Sequence, residues 1–142
     1  MATPEETENK LQAFFKDIKG TIGDNWVDIL LENARRVSAP LAAQMLDQLG
    51  LDANTTTPFK LLDNGCGIGV VASELQSRIK PDVLRQSSIV CGDFSQPVVE
   101  AVQKRIKEEG WVNTEANTID AQVRHPSSLR VLCPCRAVLM KK

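Results

Sequence analysis

Three glycines alternate with other residues in the run Asp63-Asn64-Gly65-Cys66-Gly67-Ile68-Gly69, between an apolar segment and a helix-compatible one. Alternating glycines let a backbone turn tightly and let a ligand approach closer than any Cβ would permit. The amide groups at the start of the following helix favour an anionic group. This glycine turn (residues 65–69) therefore predicts a site for a nucleotide-containing cofactor.

Two acidic residues follow at positions that suit such a site. Asp93 ends a second apolar run and lies 24 residues beyond Gly69, close to the roughly 20 residues expected before a ribose-binding carboxylate. Asp120, followed by Ala121, ends a weaker third run, where the edge of an adenine ring would lie. Each acid has an alternative interpretation, as a helix cap or a solvated strand end.

The type of nucleotide is restricted by two residues. A dinucleotide fingerprint G-x-G-x-x-G that starts at Gly65 would need glycine where the chain has Val70. The carboxylate of Asp63 would repel a pyrophosphate but would suit a ligand with a positive amino group. The chain also has no G-x-x-x-x-G-K-[ST] phosphate loop. An NAD-dependent oxidoreductase is therefore disfavoured.

The elements that must position these residues alternate between strand and helix. The sequence predicts strands over residues 59–63, 88–92 and, weakly, 115–119, with helices over 69–79 and about 97–109. This order predicts an α/β fold, with a partial, Rossmann-like parallel sheet of about three strands in a three-layer arrangement. The partial α/β domain that binds the cofactor would span residues 59–122.

Residues 1–50 predict a helical N-terminal extension, or lid, of three helices. Thr3, Pro4 and Glu6 form a capping pattern for the first. A second begins after Asp24, and a third begins at Ser38 with Pro40 in its first turn. We interpret the two tryptophans, Trp26 and Trp111, as packing residues.

Composition limits the partners and the compartment. The 142 residues fit one domain, and the net charge of −1 gives no reason to expect nucleic acid or an anionic membrane as partner. The polar, acidic N-terminus is unlike a secretory signal. Because Cys66 lies in the glycine turn and Cys91 in a strand, a disulfide framework is not expected, and we predict a cytoplasmic location.

These motifs resemble those of the class I S-adenosylmethionine-dependent methyltransferases. Asp63-x-Gly65-x-Gly67-x-Gly69 looks like their first motif, and Cys91-Gly92-Asp93-Phe94-Ser95 looks like their second-strand acidic motif. Glu109-Gly110-Trp111 and Ile119-Asp120-Ala121-Gln122 are similar to a small-molecule branch common in fungal natural-product pathways. The resemblance covers residues 1–122.

The resemblance implies S-adenosyl-L-methionine as cofactor and a small-molecule methyl acceptor. The glycine turn would pack against the methionine part, and Asp63 would hold the turn or the amino group through water. Asp93 would bind the ribose hydroxyls and Phe94 would lie along the adenine. Asp120 and Ala121 would contact the edge of the adenine. The catalytic residue stays unknown, and we expect no metal.

Residues 123–142 do not match the resemblance. They hold five of the 17 basic residues and none of the 18 acidic ones. His125 with Cys133 and Cys135 does not have the spacing of a structural zinc site. We therefore expect a disordered tail and a chain truncated after the third strand, with little activity of its own. The alternatives are a non-catalytic remnant or a pseudo-enzyme whose residues 1–50 bind a partner.

Overall fold

The computed structural model describes residues 3–120 and 136–141. Two long helices precede an alternation of strands and helices. In chain order the elements are α1 (Pro4–Ile22), a 3-10 turn (Gly23–Asn25), α2 (Trp26–Gln48), β1 (Phe59–Asn64), α3 (Val70–Arg78), α4 (Pro81–Leu84), β2 (Ser88–Asp93), α5 (Gln96–Glu108), β3 (Thr114–Thr118) and β4 (Arg136–Lys141). None of the described helices is long and apolar enough to cross a membrane.

The sheet has the strand order β3-β2-β1-β4. The first three strands are parallel, with Asp63 opposite Cys91 and Asp93 opposite Thr118. The carboxyl ends of β1 and β2, and with them Asp63 and Asp93, therefore meet at one edge of the sheet. The predicted α/β class, the parallel sheet of about three strands and the N-terminal helical extension are confirmed.

One face of the sheet carries the core. Side chains alternate between the faces of a strand, and in β1 Phe59 and Leu61 are buried whereas Lys60 is exposed. The buried face packs against α3, α5 and the end of α2 in one apolar cluster. Leu62 and Val90, on the other face, are only partly buried. The described residues therefore form two layers where the sequence predicted three.

The N-terminal extension differs from its prediction in one respect. The predicted cap of α1 is present, since the amides of Thr3 and Glu6 each bond the other residue's side chain. The predicted second and third helices, however, form the single helix α2. Pro40 lies inside it and removes only one backbone hydrogen bond. Ala42 and Leu46, beyond the proline, are buried in the core and stabilise the continuous helix.

The C-terminal end of α2 is held against α3 by Arg78. Its Nη1 atom donates to the carbonyl of Ala43 at 3.3 Å and to Oδ1 of Asp47 at 2.7 Å. Its Nη2 atom lies 3.6 Å from Oε2 of Glu74, on its own helix. These contacts fix the end of α2 that enters the core.

The expectation of a disordered tail over residues 123–142 is wrong for part of it, because Arg136–Lys141 forms β4. This strand pairs antiparallel with β1, with Leu61 opposite Leu139. Both prolines of the tail, Pro126 and Pro134, precede the strand and leave its amides free to pair. The edge of β1, which would otherwise expose backbone groups, is covered. The remainder of the tail, residues 123–135 and 142, lies outside the described residues.

Candidate cofactor site

The glycine turn is anchored to the end of β2 by backbone hydrogen bonds. The amides of Gly65 and Cys66 both donate to the carbonyl of Gly92, at 2.7 and 2.9 Å. The amide of Gly69 donates to the carbonyl of Cys66 at 2.9 Å, which closes the turn before α3 begins. The turn therefore has a fixed place between the two parallel strands.

Asp93 connects β2 to the same turn through its side chain. Its Oδ2 accepts from the amide of Gly67 at 3.1 Å, and its Oδ1 accepts from the amide of Ser95 at 3.0 Å. Asp93 is buried, with 8% of its surface exposed. Because an ionised carboxylate offers about four acceptor positions, these two bonds leave acceptor capacity for a ligand.

Asp63 is the second buried acid of the site. Its Oδ2 is buried and has no hydrogen-bond partner among residues 3–120 and 136–141. Burial, and then the negative charge of Asp93, raise the pKa of Asp63 to about 7. A buried acid without a partner is costly, and a positively charged ligand group next to it would offset that cost.

Positive φ angles at Gly65, Gly67 and Gly69 (82°, 51° and 79°) explain the choice of residue in the turn. A Cβ built on Gly65 or Gly67 would meet no atom of the described protein within 4 Å. A Cβ on Gly69 would lie 3.1 Å from the ring of Trp111. The first two glycines therefore leave space for a ligand, whereas Gly69 is needed for packing.

A cavity of about 820 Å³ lies over the turn. Asp63, Gly65, Gly67, Asp93 and Phe94, all predicted from the sequence, line it together with the turn and helix residues Cys66, Ile68, Val70, Val71 and Val98. One further wall is a face of α2, formed by Leu30, Asn33, Ala34, Val37, Ser38, Leu41, Ala42 and Met45. The volume lies within the range of small-molecule sites.

Two of the predicted cofactor residues that the structure describes are not brought to this cavity. Gly69 faces Trp111, and Asp120 is exposed and does not line the cavity. Ala121 lies outside the described residues, as do His125, Cys133 and Cys135. Within residues 3–120 and 136–141, no cluster of three or more His, Cys, Asp or Glu could hold a metal ion.

Sequence reasoning missed the α2 wall because it divided α2 at Ser38. Leu30, Ala34, Val37, Leu41 and Met45 are spaced three or four residues apart, so they follow one helical face. That spacing could have indicated one continuous helix with an apolar face. Val37 and Leu41 are exposed, with 66% and 62% of their surfaces accessible, although they are large apolar residues.

Cys66, in the turn, and Cys91, in β2, form a buried pair of free thiols. A hydrogen bond to the Cys91 thiol, and then burial, raise the pKa of Cys66 well above its usual value. The Cys66 thiol also donates to the carbonyl of Gly67 at 3.4 Å. The cysteine of the turn is therefore a protonated packing residue.

These features fit S-adenosylmethionine. Asp63 has an unpartnered buried oxygen for a positive amino group, and Gly65 and Gly67 open onto the cavity. Asp93 retains acceptor capacity beside them. Phe94, 42% exposed, offers an apolar ring at the cavity.

Comparison with known proteins identifies curated fungal relatives, while no family model matches the chain. Over 96 residues it is 34% identical to the acetylaranotin bis-thiomethyltransferase of Aspergillus terreus, a match that covers 67% of this chain and 35% of the relative. Over 108 residues it is 31% identical to the methyltransferase afvD of Aspergillus flavus, covering 75% of this chain and 42% of the relative.

Among solved structures, a SAM-dependent methyltransferase from Aquifex aeolicus matches with a TM-score of 0.48 and 18% identity, covering 64% of this chain and 44% of that one.

The chain spans between about a third and two fifths of the length of the two curated relatives. These relatives, together with the glycine turn and the acidic end of β2, identify the chain as a member of the class I S-adenosylmethionine-dependent methyltransferases.

Proposed function

We propose that this chain binds S-adenosyl-L-methionine and provides the cofactor half of a small-molecule methyltransferase. The observation that carries the proposal is the pair of buried acids, Asp63 and Asp93, beside two glycines that open onto one cavity. When bound, the cofactor supplies an electrophilic methyl group attached to a sulfonium.

Each residue of the site has a proposed binding role. Asp63 accepts the amino group directly or through water, and Asp93 accepts the ribose hydroxyls while it keeps its bond to the amide of Gly67. Phe94 provides a surface for the adenine, and Asp120 and Ala121 remain proposed contacts of its edge. Gly65 and Gly67 let the backbone approach the methionine part.

The proposed acceptor is a small molecule with an apolar body. The α2 wall contributes mainly aliphatic side chains to the cavity, and only Asn33 and Ser38 among them are polar. Positioning the acceptor against the methyl group could supply much of the rate. The described lining residues with titratable side chains are Asp63, Cys66 and Asp93, and we assign none of them as a general base.

Two further parts of the proposal concern the cell. The curated relatives are fungal methyltransferases, which supports an acceptor from natural-product metabolism. The buried free thiols Cys66 and Cys91 suit a reducing compartment such as the cytoplasm.

Calorimetric titration of the full chain with S-adenosylmethionine, S-adenosylhomocysteine and NAD tests the cofactor assignment. We expect binding of the first two and none of NAD. Binding of NAD alone, or of no ligand by a protein whose circular dichroism shows a folded α/β structure, would refute the assignment. A methyl-transfer assay with apolar acceptors then tests turnover separately.

A further inference from the structure

A buried arginine lies on the side of the glycine turn that faces away from the cavity. Arg105, in α5, is only 6% exposed. Its Nη1 donates to the carbonyl of Ile68, inside the turn. Its Nη2 lies 3.5 Å from Oγ of Ser73, in the first turns of α3. Arg105 thus reaches the turn and the following helix from an element 37 residues away in sequence.

Two residues fix the guanidinium in place. Glu109, one helical turn later, accepts from Nε at 2.7 Å and from Nη2 at 3.2 Å. Trp111 lies beneath the guanidinium, with its ring centroid 4.8 Å from Cζ. The indole Nε1 also donates to Glu109, at 3.0 Å. A two-pronged ion pair and an aromatic face together hold a planar cation in one orientation.

The same tryptophan touches the turn directly. A Cβ on Gly69 would lie 3.1 Å from the Trp111 ring, so the ring packs against the backbone of Gly69. Neither Arg105 nor Trp111 lines the cavity. The turn therefore lies between the cavity on one side and this cluster on the other.

We propose that Arg105 is a positioning residue that holds the glycine turn in its cofactor-binding conformation, with Glu109 and Trp111 fixing the guanidinium. The inference rests on the proposed function. A guanidinium is needed because a lysine ammonium cannot bond both carboxylate oxygens and the Ile68 carbonyl in one plane. Without the cluster, the Ile68 carbonyl loses its donor and the turn can rearrange.

The test compares the full chain with Arg105→Met, and with two controls whose side chains make no described hydrogen bond to the turn. Lys104→Met removes an exposed charge from the adjacent position of α5, and Leu84→Ala destabilises the core from α4. The first measurement is hydrogen exchange of residues 65–70 in the free protein, relative to the exchange of β2. The second is the Kd for S-adenosylhomocysteine.

We expect Arg105→Met to raise the relative exchange of residues 65–70 about tenfold or more and to raise the Kd by a similar factor. Both controls should stay within about twofold of the parent chain. The proposal would be overturned if Arg105→Met had the same relative exchange and the same Kd as Lys104→Met. If Arg105→Met does not fold, Glu109→Gln decides, because it keeps the arginine but weakens its anchor. We expect about threefold or larger changes in Glu109→Gln, and unchanged values would overturn the proposal.

The two inferences fail separately. If the parent chain binds neither S-adenosylmethionine nor S-adenosylhomocysteine, the proposed function is wrong, and the exchange measurement alone still decides the role of Arg105. The second case is that the parent chain binds S-adenosylhomocysteine while Arg105→Met and Glu109→Gln match the controls in Kd and in the hydrogen exchange of residues 65–70. In that case only the proposed role of Arg105 is wrong.

Discussion

The carboxylate of Asp93 accepts the amide hydrogen of Gly67 at 3.1 Å. The acid at the end of β2 thus supports the turn that follows β1, although 26 residues separate the two in sequence. A change at Asp93 will therefore act on the proposed ribose contact and on the turn together.

Replacing Asp93 by alanine should weaken cofactor binding by about 1–3 kcal/mol, because charge-assisted hydrogen bonds are lost. Asp93→Asn keeps one acceptor oxygen and should fall between alanine and the parent. The measurement is the calorimetric Kd for S-adenosylmethionine. The matched control is Asp82→Ala, which removes an exposed acid from α4 and should leave the Kd unchanged. Equal affinity of Asp93→Ala and the control would contradict the proposed ribose contact.

Replacing Gly67 by alanine should abolish detectable cofactor binding, because the new methyl group would enter the space proposed for the ligand. Gly50→Ala is the control, since Gly50 also has a positive φ (68°) and a Cβ built on it would meet no described atom within 4 Å. Both variants should lose about 1–2 kcal/mol of unfolding free energy through backbone strain. Urea denaturation and calorimetry measure the two effects. Normal binding by Gly67→Ala would show that the ligand lies elsewhere.

The unfolding free energy should depend on the ionisation of Asp63. Its pKa is about 7 in the folded chain against 3.8 for an ordinary carboxyl. Between these values the folded state retains a proton that the unfolded state releases, so stability falls as pH rises from about 4 to about 7, by up to about 4 kcal/mol. Above pH 7 this contribution is constant.

Asp63→Asn isolates that contribution, because the amide does not titrate. The measurement is urea denaturation of both proteins between pH 4 and 8. The stability of the parent relative to Asp63→Asn should be greatest at the acidic end and should fall through pH 7. A difference that is independent of pH would show that burial does not raise the pKa of Asp63.

Cofactor affinity should rise as pH increases from about 5 to about 7. A positive amino group favours the ionised form of Asp63, and the cost of removing the proton falls as the pH approaches its raised pKa. Calorimetry in two buffers of different ionisation enthalpy should detect proton release near pH 6. Asp63→Asn should show neither the proton release nor the change in affinity. Proton release that persists in Asp63→Asn would assign the titration to another group.

The thiols of Cys66 and Cys91 should resist alkylation in the folded protein. Both are buried, and the raised pKa of Cys66 keeps its thiol protonated around neutral pH, while the thiolate is the reactive form. A chain with Cys133→Ser and Cys135→Ser leaves only these two cysteines. At pH 8, iodoacetamide should alkylate this variant much more slowly in the absence of urea than in its presence. Mass spectrometry measures the two rates. Equal rates would mean that the turn opens readily.

The sequence predicted those parts of the site that local patterns encode. Asp63, the alternating glycines and Asp93 each lie at the junction of a strand with a turn or helix, where short-range spacing is informative. Long-range contacts were not readable in this way. The spacing of Arg105 and Glu109 indicates a helix ion pair, but nothing in it indicates the carbonyl of Ile68 as the third partner.

Two of the errors about the fold have clear physical causes. Pro40 indicated a helix start, but burial of Ala42 and Leu46 on the core face favours one continuous helix. The prolines of the tail argued against a strand, but both precede Arg136, and pairing with the edge of β1 stabilises β4. In both cases tertiary contacts outweighed the local signal.

Because α2 is one continuous helix, a tilt at its contact with Arg78 moves the cavity-lining residues at its other end. Arg78 holds the helix at Ala43 and Asp47, while Leu30 lies at the far end of the cavity wall. Asp47 follows Leu30 by 17 positions, which corresponds to about 25 Å of helix, so a tilt of about 5° at the Arg78 contact moves Leu30 by about 2 Å. A change in the angle of α2 at this contact would therefore change the width of the acceptor side of the cavity, although Arg78 does not line it.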